Sequence, residues 1–591
     1  MNSVVSEFVS KAKQGESIYI TDVQAMFDKY HSQHIECEFV LTNGTKKYFD
    51  IYLPEAEGFE QEQFIKDYLY ARIYNIISVI GGISVNLYVD GKNAFIKGLC
   101  DSLRVVFGID KAKNERTGYA KCINVTDRIS RAMGAEAFSI HVVCGKADRK
   151  ETKEDRGTSA VDAFKTAVLK ATNANICGLD VGGTDIKIVG MKDGCLCFAK
   201  EYDWNPAEFT HIEQITDTLE FMVRLSCAVM AIEDNHDDEL MRVRERILEV
   251  GTDMEQMHAD LERIEKAIKA PVLLDGIGLS FPDVVIADKI LGGETLKTRA
   301  IREHSSDYEA EFAKLTAISS TLKRYCKENG IVHITNDGNM AAYTAAVEFA
   351  HGDNSEDIEN GIFAHTLGTE LGTGWIDESG SIPEVPLEVY NCVIDLGEYF
   401  ARSFKSADVR SNANFNTNIA GTLQRYTSQS GAFRLALKYF SQKDKAAYDD
   451  LFKKGFLVAE EDGIYNAIKP KDMRKALLEH LMMLADGGHE PAQEIFREIG
   501  RYVAIVWGVT EDILAPMQKK RILFGRFVKR KRCFELMREG AQSIDPAMEI
   551  LAADSDFANT YLMKELRDKS GYSVAQFGQA VGAVYFAASE I

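Results

Sequence analysis

Three short stretches of the sequence combine glycines with charged or amide side chains at spacings that suit phosphate chemistry. In the first, GLDVGGTDIKIVG, Asp180, a Gly-Gly-Thr turn and Lys187 interrupt an apolar strand pattern. Two glycines at a tight turn let backbone N–H groups approach an anion closely. Asp180 could hold a hydrated Mg²⁺, while Thr184 and Lys187 could supply a hydroxyl and a counter-charge. A plain β-hairpin with solvated charges is the alternative interpretation.

A second stretch, HTLGTELGTGWIDESG, interrupts another strand pattern with glycines and threonines. Two such turns facing each other could hold a polyphosphate from both sides. The sequence has no G-x-x-x-x-G-K-[ST] motif and no G-x-G-x-x-G motif after a strand, so those two phosphate loops are excluded. The candidate phosphate-binding residues are Gly182, Gly183, Thr184, Lys187, Gly368, Thr369, Gly372, Thr373 and Gly374.

The third stretch, HITNDGNMAAYTAAVEFA, predicts an apolar strand that ends at Thr335, then a polar turn and an alanine-rich helix. A carboxylate such as Asp337 at a strand end, beside the amide of Asn336, is what a general base for an alcohol nucleophile requires. The alternative is a helix N-cap, a position at which Asn and Asp are favoured in any protein. These residues alone leave both interpretations open.

Around these stretches, strand-like segments alternate with helix-like ones, which is typical of an α/β protein. The residues before Lys146 predict a separate α+β unit with short β-rich runs such as IECEFVL and ISVNLYV. The polar segment from Lys146 to Ser159 has the composition of an exposed linker. From Glu213 to Ala270 the chain is almost wholly helix-forming, without a sustained heptad.

Composition restricts the class of protein. The chain has 591 residues, of which 46% are hydrophobic and 27% charged, and its formal charge is -21. This length predicts several domains, and the acidic balance argues against broad affinity for nucleic acid or anionic membranes. The eleven cysteines include no Cys-x-x-Cys pair, which argues against a zinc knuckle. Because no signal-peptide pattern or membrane-length apolar run occurs, we expect a cytoplasmic protein.

Taken together, these motifs resemble those of the ROK family of sugar kinases and repressors, which belongs to the actin-like ATPase superfamily. The likeness extends from about Ile176 to the C-terminus. Its motifs occur in the family's order and are Asp180-x-Gly-Gly-Thr-x-x-Lys187, Gly276-Ile277-Gly278 with Pro282, Asn336-Asp337-x-Asn339, and the turn from Gly368 to Gly374. The later segments PAQEIFREIGRYVAIVWG and AQFGQAVGAVYFA also resemble family helices.

The resemblance implies an α/β fold of the two-lobed actin-like ATPase (ribonuclease H-like) type, preceded by an additional N-terminal α+β domain. We expect this N-terminal domain over 1–158, a first lobe over 159–345 with a helical insertion at about 213–270, and a second lobe over 346–591. The C-terminal helix could pack back on the first lobe. For the N-terminal domain we expect a role in interaction or dimerisation, or as a cover over the cleft between the lobes.

The resemblance also implies an ATP-dependent kinase that phosphorylates a hydroxyl of a sugar or sugar-like molecule. Asp337 matches the family's general base, and Asn336 and Gly278 match sugar-side positions. Asp180 matches the carboxylate near Mg²⁺, which it would hold through water. Phosphoryl transfer consists mostly of positioning and charge neutralisation, which suits these residues. ATP, Mg²⁺ and a sugar-like acceptor are therefore the expected ligands, nucleic acid and membranes are not expected partners, and the chain could form a homo-oligomer.

The sequence departs from the family in four places. The cysteine-rich zinc segment is missing, since Cys392 is the only cysteine in that region, so no zinc is expected. The sugar-binding Glu-x-Gly-His element has no clean counterpart; Glu388 is the best equivalent of its Glu, and Glu384 is second. Glu370 lies where the second phosphate turn usually has glycine. The adenosine loop keeps a single glycine, Gly525, where the family usually has two.

Lys297 and Arg299 lie in the loop GGETLKTRAIREH and would suit a carboxylate or phosphate on the acceptor. A solvated loop is the equal alternative. The departures also support another class of function, a catalytically weak or inactive ROK-like protein that senses a ligand and acts through protein contacts. The family's repressors bind DNA through an N-terminal helix-turn-helix, which the strand-rich N-terminal region here argues against.

Overall fold

The structure is a computed structural model whose described residues cover most of the chain. They are 2–149, 159–232, 237–249, 251, 253–292, 298–353, 355–368, 371–397, 408–411, 413–414, 417–459, 465–467, 471–514, 520–552, 558–569, 572 and 574–591. Most of the predicted linker, 150–158, lies outside them. Within this part of the chain, no helix is both long and apolar enough to cross a membrane.

Strands and helices alternate along the described residues. The strands are β1 (Gln33–Val40), β2 (Lys46–Leu53), β3 (Ser84–Val89), β4 (Ser139–Cys144), β5 (Ile176–Val181), β6 (Asp185–Lys192), β7 (Cys195–Asp203), β8 (Leu274–Phe281), β9 (Val285–Ile286), β10 (Lys289–Ile290), β11 (Cys326–Asn336), β12 (Ile362–Leu367), β13 (Leu371–Ile376), β14 (Leu457–Ala459), β15 (Tyr465–Ala467), β16 (Lys520–Gly525) and β17 (Glu549–Ala552). The α-helices are α1 (Asn2–Lys13), α2 (Ile20–Lys29), α3 (Phe59–Ile80), α4 (Ala94–Val106), α5 (Cys122–Ala132), α6 (Ala160–Ala171), α7 (Glu213–Ala231), α8 (Asp238–Leu248), α9 (Met254–Ala267), α10 (Arg299–His304), α11 (Tyr308–Thr316), α12 (Ile318–Leu322), α13 (Asp337–Ala350), α14 (Leu423–Thr427), α15 (Gln429–Lys443), α16 (Lys445–Lys453), α17 (Lys471–Asp486), α18 (Glu490–Leu514), α19 (Lys531–Ile544), α20 (Tyr561–Lys569) and α21 (Val574–Glu590).

These elements form two compact units, each assembled from separate stretches of the chain. Unit 1 consists of Met1–Glu154, His365–Thr373 and Val385–Ala552. Unit 2 consists of Asp155–Ala364, Gly374–Glu384 and Ala553–Ile591. The sequence had predicted continuous boundaries at about 158 and 345, because composition and linker signals do not show which distant segments pack together.

Unit 2 is built on a five-stranded sheet with the order β11-β8-β5-β6-β7. Strands β5, β6 and β7 form an antiparallel meander, whereas β8 and β11 run parallel to β5. Parallel neighbours need long crossover connections, which here contain α7 to α9 and α10 to α12. An antiparallel meander followed by two parallel strands is the ribonuclease H-like topology, so the predicted actin-like fold is confirmed in this unit.

Helix α21 lies against this sheet at very short range. A Cβ added at Gly178 would lie 2.1 Å from Ala580 O, and one added at Gly278 would lie 1.8 Å from Ala583 O. Any side chain at either position would therefore collide with the helix backbone, which is why glycine is required there. The C-terminal helix thus packs within unit 2, although it lies at the far end of the sequence from β5.

The predicted helical segment from about 213 to 270 contains α7, α8 and α9. Phe221 and Met222 of α7 and Leu261 of α9 are buried in one apolar cluster with Leu179 of β5 and Ile188 of β6. Helix α7 therefore contributes an apolar face to the core of unit 2, as an amphipathic helix beside a sheet does.

In unit 1, the first 149 residues contain a four-stranded sheet with the order β2-β1-β3-β4 and the buried helix α3. Asn75 of α3 makes two hydrogen bonds with the backbone of Val393, donating from Nδ2 to O (2.9 Å) and accepting at Oδ1 from N (2.8 Å). Ile18 N donates to the buried carboxylate of Asp395 at 2.9 Å. The N-terminal α+β region is thus joined by hydrogen bonds to later residues of the same unit.

A second sheet has the order β13-β12-β16-β17, with β16 parallel to β17. Arg521 of β16 is fully buried; it donates a hydrogen bond to Thr510 Oγ1 at 3.0 Å and lies 5.3 Å from the ring centre of Trp507. Burial lowers the pKa of Arg521 to about 9 because a buried guanidinium loses its hydration. The negative charge of Glu511 partly opposes this effect of burial.

Candidate active site

The candidate site in unit 2 begins where neighbouring strands end at one edge of the five-stranded sheet. The strand register places Asp180 of β5 beside Ser280 of β8, and Ser280 beside Thr335 of β11. On its other side, Asp180 lies opposite Lys187 of β6. Because the carboxyl ends of parallel strands share an edge, Asp337, which directly follows β11, reaches the same region.

Asp180 has an unusual environment for a carboxylate. Its pKa is raised to about 6, first by burial and further by the negative charges of Asp337 and Asp185. The ammonium of Lys187 and a hydrogen bond from Ser280 Oγ, 2.9 Å long, act in the opposite direction. The register of β5, β8 and β11 places the ends of the strands that carry these two carboxylates side by side.

The Gly-Gly-Thr turn between β5 and β6 is fixed by local hydrogen bonds. Gly182 N donates to Asp185 O at 2.8 Å, and Trp204 Nε1 donates to Gly182 O at 3.0 Å. Thr184 Oγ1 donates to Asp185 Oδ2 at 3.0 Å, and Lys187 Nζ pairs with Asp185 Oδ1. The hydroxyl and ammonium predicted to meet a phosphate are thus both held by one carboxylate, for which the sequence predicted no role.

Asn336 and Asp337 begin helix α13. Asn336 Oδ1 accepts a hydrogen bond from Gly338 N at 2.8 Å, and its Nδ2 donates to Asp283 O at 2.8 Å. Asn336 is therefore a helix N-cap, and its amide group retains one further hydrogen that could bind a ligand. Asp337 lies in the first turn of the helix, where the macrodipole stabilises negative charge.

The charges at this edge suit a divalent cation. Two carboxylates, those of Asp185 and Asp337, and the ammonium of Lys187 act on the carboxylate of Asp180. Mg²⁺ prefers one or two carboxylates together with water and phosphate oxygens. A cation near Asp180 would favour the ionised carboxylate, which burial disfavours. The residues present therefore fit Mg²⁺, with Asp180 as the residue that would hold it.

Within unit 1, the structure brings two predicted nucleotide-binding positions together. Gly525 ends β16 with φ of 92°, and a Cβ added there would lie 2.3 Å from Leu367 O. Only glycine fits such a left-handed conformation at this range. The next residue after Leu367 is Gly368, whose O accepts a hydrogen bond from Gln429 N at 3.1 Å. Gly525 thus lies beside the start of the second predicted phosphate turn.

The three other predicted phosphate-binding residues of that turn that the structure describes have different surroundings. Thr373 is buried, and within the described residues its Oγ1 has no hydrogen-bond partner. A Cβ added at Gly372 would make only ordinary contact with Thr366, at 3.4 Å. Gly374 belongs to unit 2, where an added Cβ would lie 2.1 Å from Gly338 O. The hydroxyl of Thr373 is therefore a candidate ligand-binding group, whereas Gly374 allows close packing of β13 on α13.

Two predicted substrate-binding residues already have partners in their own surroundings. Glu388 accepts hydrogen bonds from Tyr390 OH and Asn391 Nδ2, each at 3.0 Å. Arg299 is exposed and pairs with Glu303, one turn along α10, at 2.8 Å. An exposed Arg299 that pairs with a neighbouring glutamate agrees with the alternative interpretation, in which this segment is solvated.

Gly278 and Lys297 complete the predicted substrate-binding set. Gly278 lies in β8 beneath α21, so packing alone accounts for a glycine at that position. Lys297 lies outside the described residues, as do Thr369 and Glu370.

The sequence analysis did not identify three residues at the edge of the unit 2 sheet where Asp180 lies. Ser280 could have been found, because it ends the buried strand LDGIGLSF just as Asp180 ends ICGLDV. Asp185 directly follows the glycine turn, where an acidic residue could have been expected to compete with phosphate. Trp204 offered no signal, since its contact with Gly182 O depends on the return path of the meander.

A second cluster of candidate ligands lies in unit 1. His34, Glu36 and Asp50 offer ligand atoms that all lie within 4.8 Å of one another. Sequence spacing does not show this cluster, because Asp50 belongs to the neighbouring strand, opposite Glu36. Arg149 donates two hydrogen bonds to Asp50, at 3.0 and 2.5 Å. Because this guanidinium already neutralises the cluster, we assign no ion to it.

No family model matches this chain, and no curated protein matches it. Among the solved structures that it resembles are the following three sugar kinases. A ROK hexokinase from Thermus thermophilus is 14% identical, with TM-score 0.39 over 70% of this chain and 97% of that one. A ROK family glucokinase from Streptomyces griseus, in complex with glucose and AMPPNP, is 15% identical, with TM-score 0.37 over 69% and 98%. A glucokinase from Balamuthia mandrillaris, in complex with glucose, is 10% identical, with TM-score 0.37 over 72% and 98%.

Proposed function

We propose that this protein transfers the γ-phosphate of ATP to a hydroxyl group of a sugar-like small molecule. The observation that carries this proposal is the grouping of Asp337, Asp180 and Lys187 at one edge of the unit 2 sheet. It combines a base at a helix N-terminus, a carboxylate suited to a hydrated cation, and a positive charge beside a glycine turn. Phosphoryl transfer needs these parts, because it depends on positioning and charge neutralisation.

Asp337 is the proposed general base. Its carboxylate would accept the proton of the acceptor hydroxyl as that oxygen forms a bond to the γ-phosphorus. The bond between the γ-phosphorus and the bridging oxygen breaks, and ADP leaves. The second amide hydrogen of Asn336 would orient the acceptor, while its first bond to Asp283 O fixes the amide plane. Asp337 lies in the first turn of α13, where the helix macrodipole favours the negative charge that a base needs.

The turn from Gly182 to Thr184 is the proposed phosphate contact of unit 2. Binding of a phosphate would draw Thr184 Oγ1 and Lys187 Nζ away from Asp185, which holds both groups in this structure. Asp180 would hold Mg²⁺ through water, and the ion would neutralise charge on the phosphates when bound. Asp185 thus keeps the donors ordered until the nucleotide arrives.

The test is an assay of ATP consumption with a panel of sugars, sugar acids and sugar phosphates. Asp337→Asn should lower turnover by about 10²- to 10⁴-fold, the usual contribution of a general base, and should leave nucleotide affinity largely unchanged. The matched control is Asp193→Asn. Asp193 is exposed in the turn between β6 and β7, at the other end of β6 from Lys187, and its φ of 47° suits asparagine.

Two results would overturn the proposal. One is that the protein binds no nucleotide in the presence of Mg²⁺. The other is that Asp337→Asn retains full turnover, which would remove Asp337 as the base. Nucleotide or sugar binding without phosphoryl transfer would instead support the ligand-sensing alternative.

A further inference from the structure

Unit 2 contains a cavity of about 370 Å³ that is separate from the sheet edge with Asp180 and Asp337. Its walls come from α6, the end of α21, the hairpin of β9 and β10, strand β11, α13 and the loop after β13. None of Asp180, Lys187 and Asp337 lines it. This volume lies within the range of sites that bind small molecules, which starts at roughly 300 Å³.

One wall of the cavity is aromatic. The ring of Phe586 stacks on His333, with ring centres 3.8 Å apart and planes 15° apart. Tyr343 packs edge-on against Phe586 at 5.2 Å and against Phe164 at 5.4 Å. Since these side chains belong to α6, α13, α21 and β11, the rings are fixed by four elements of the core. Such π-faces attract cations.

Two of the polar side chains that line the cavity, Asp288 and His333, interact with each other. Asp288 Oδ1 accepts hydrogen bonds from His333 Nδ1 at 2.8 Å and from Ile334 N at 2.6 Å. An ionised carboxylate can only accept, so Nδ1 of His333 carries the hydrogen, and Nε2 is an acceptor when the ring carries one hydrogen. Both bonds use Oδ1, and within the described residues no hydrogen bond is recorded for Oδ2. A ligand that enters here would meet acceptors at Asp288 and His333.

Charge selects the class of ligand. Asp288, Glu384 and Glu590 line the cavity, whereas no lysine or arginine occurs among its described lining residues. The cavity is therefore negatively charged, and an anion such as a phosphate or sugar acid would be repelled. Aromatic faces, carboxylates and an imidazole acceptor together match an ammonium group, which has hydrogens to donate and a positive charge.

We propose that this cavity binds a small organic cation with a primary ammonium group. The ammonium donates to Asp288 Oδ2 and His333 Nε2, and the hydrocarbon part lies against Phe586 and Tyr343. Glu384 and Glu590, which are exposed, add negative charge at the rim. This site does not depend on the phosphotransfer proposed above, because none of Asp180, Lys187 and Asp337 lines the cavity.

The experiment is calorimetric titration of the full chain with 1,6-diaminohexane and with its neutral counterpart, 1,6-hexanediol. We expect the diamine to bind at least tenfold more tightly than the diol, and its affinity to fall as salt is raised from 0.05 to 0.5 M, since salt screens charge. Asp288→Asn should weaken diamine binding about tenfold or more. Asparagine accepts the same two hydrogen bonds and tolerates the φ of 58° at this position.

Glu384→Gln removes an exposed carboxylate at the rim and tests the same charge without changing buried groups. Glu262→Gln is the matched control, because Glu262 is an exposed carboxylate of α9 outside the cavity. Equal affinity for the diamine and the diol would overturn the proposal. So would equal losses in Asp288→Asn and Glu262→Gln, or tighter binding of a neutral sugar than of the diamine. A thermal melt of each variant shows that the comparison is made on folded protein.

Discussion

The two central sheets of this protein present their candidate functional groups in different ways. In unit 2, the register of β5, β6 and β8 places charged or polar side chains at one edge, and Asp180 has Lys187 and Ser280 as its cross-strand neighbours. In the sheet that contains β12 and β16, the corresponding features are a left-handed glycine, Gly525, and a buried hydroxyl, Thr373. The glycine turn of unit 2 therefore lies among charged and polar side chains, whereas the features described in the other sheet are a glycine backbone and one hydroxyl group.

This difference has an energetic consequence. The unit 2 edge keeps Asp180 where burial opposes its ionisation, so the folded protein is less stable at neutral pH than it would be with a neutral group there. Functional sites commonly hold such perturbed groups. In unit 1, the sensitivity of Gly525 lies in steric fit, because an added Cβ would lie 2.3 Å from Leu367 O.

The largest effect is expected where the unit 2 sheet contacts α21. Gly278→Val places a branched side chain at a position where a Cβ alone would lie 1.8 Å from Ala583 O. We expect a loss of roughly 3–5 kcal/mol of unfolding free energy, or no folded protein, because the helix backbone cannot move without separating from β8. Urea denaturation measures this loss. Gly98→Ala is the control, since nothing lies within 4 Å of an added Cβ there, and it should be neutral or stabilising. Equal stability of the two variants would contradict the close packing.

Gly525→Ala tests steric fit in unit 1. The substitution adds a methyl group where φ is 92° and Leu367 O lies 2.3 Å away, so we expect a loss of about 2–3 kcal/mol. Unlike Gly278→Val, it should leave the protein folded, because Gly525 ends a strand instead of lying beneath a helix. The proposed nucleotide contact predicts a fall in ATP affinity as well. Unchanged affinity, measured by equilibrium titration, would show that Gly525 is a purely structural glycine.

The fold of unit 2 was predicted from the family resemblance that these motifs and their order carry, since the residues alone left a plain hairpin and a helix N-cap open. Asp180 and Asp337 stood out as carboxylates at strand ends, and the strand register brings both to one edge. The sequence could not show that Asp185 already holds Lys187, since both fit an exposed turn equally well. It also could not separate a packing glycine from a ligand-binding one, as Gly278 illustrates.

The assembly of unit 1 from distant segments was not predictable from composition. Asn75 lies in the long helix α3, whose second half is mostly buried. Nothing in the sequence shows that the nitrogen and the oxygen of its side-chain amide both bond to the backbone of Val393. The α+β character of the N-terminal region was visible in its short β-rich runs. Besides the bonds of Asn75, backbone hydrogen bonds attach it to residues 387–396, and these are independent of side-chain identity and leave no pattern.

Asp180→Asn tests the charge of the unit 2 edge. The pKa of Asp180 is raised above its unfolded value, so its ionisation destabilises the folded protein as pH rises from about 4 to about 6. At pH 7.5 the neutral variant should be more stable by about 2 kcal/mol, after allowance for partial exposure, and the gain should vanish near pH 4. Urea denaturation at both pH values measures it. Asp193→Asn should show no such pH dependence, and a variant less stable than the original at pH 7.5 would contradict the argument from burial.

The smallest effect separates stability from binding in the second phosphate turn. Thr373→Val replaces a buried hydroxyl that has no recorded partner within the described residues by a methyl group of similar size. An unsatisfied buried hydroxyl is costly, so the variant should gain about 1 kcal/mol of unfolding free energy without nucleotide. If the hydroxyl binds phosphate, ATP affinity should fall in the same variant. A gain in stability with unchanged affinity would confine the phosphate contacts of this turn to its backbone, which would sharpen the contrast with the charged edge of unit 2.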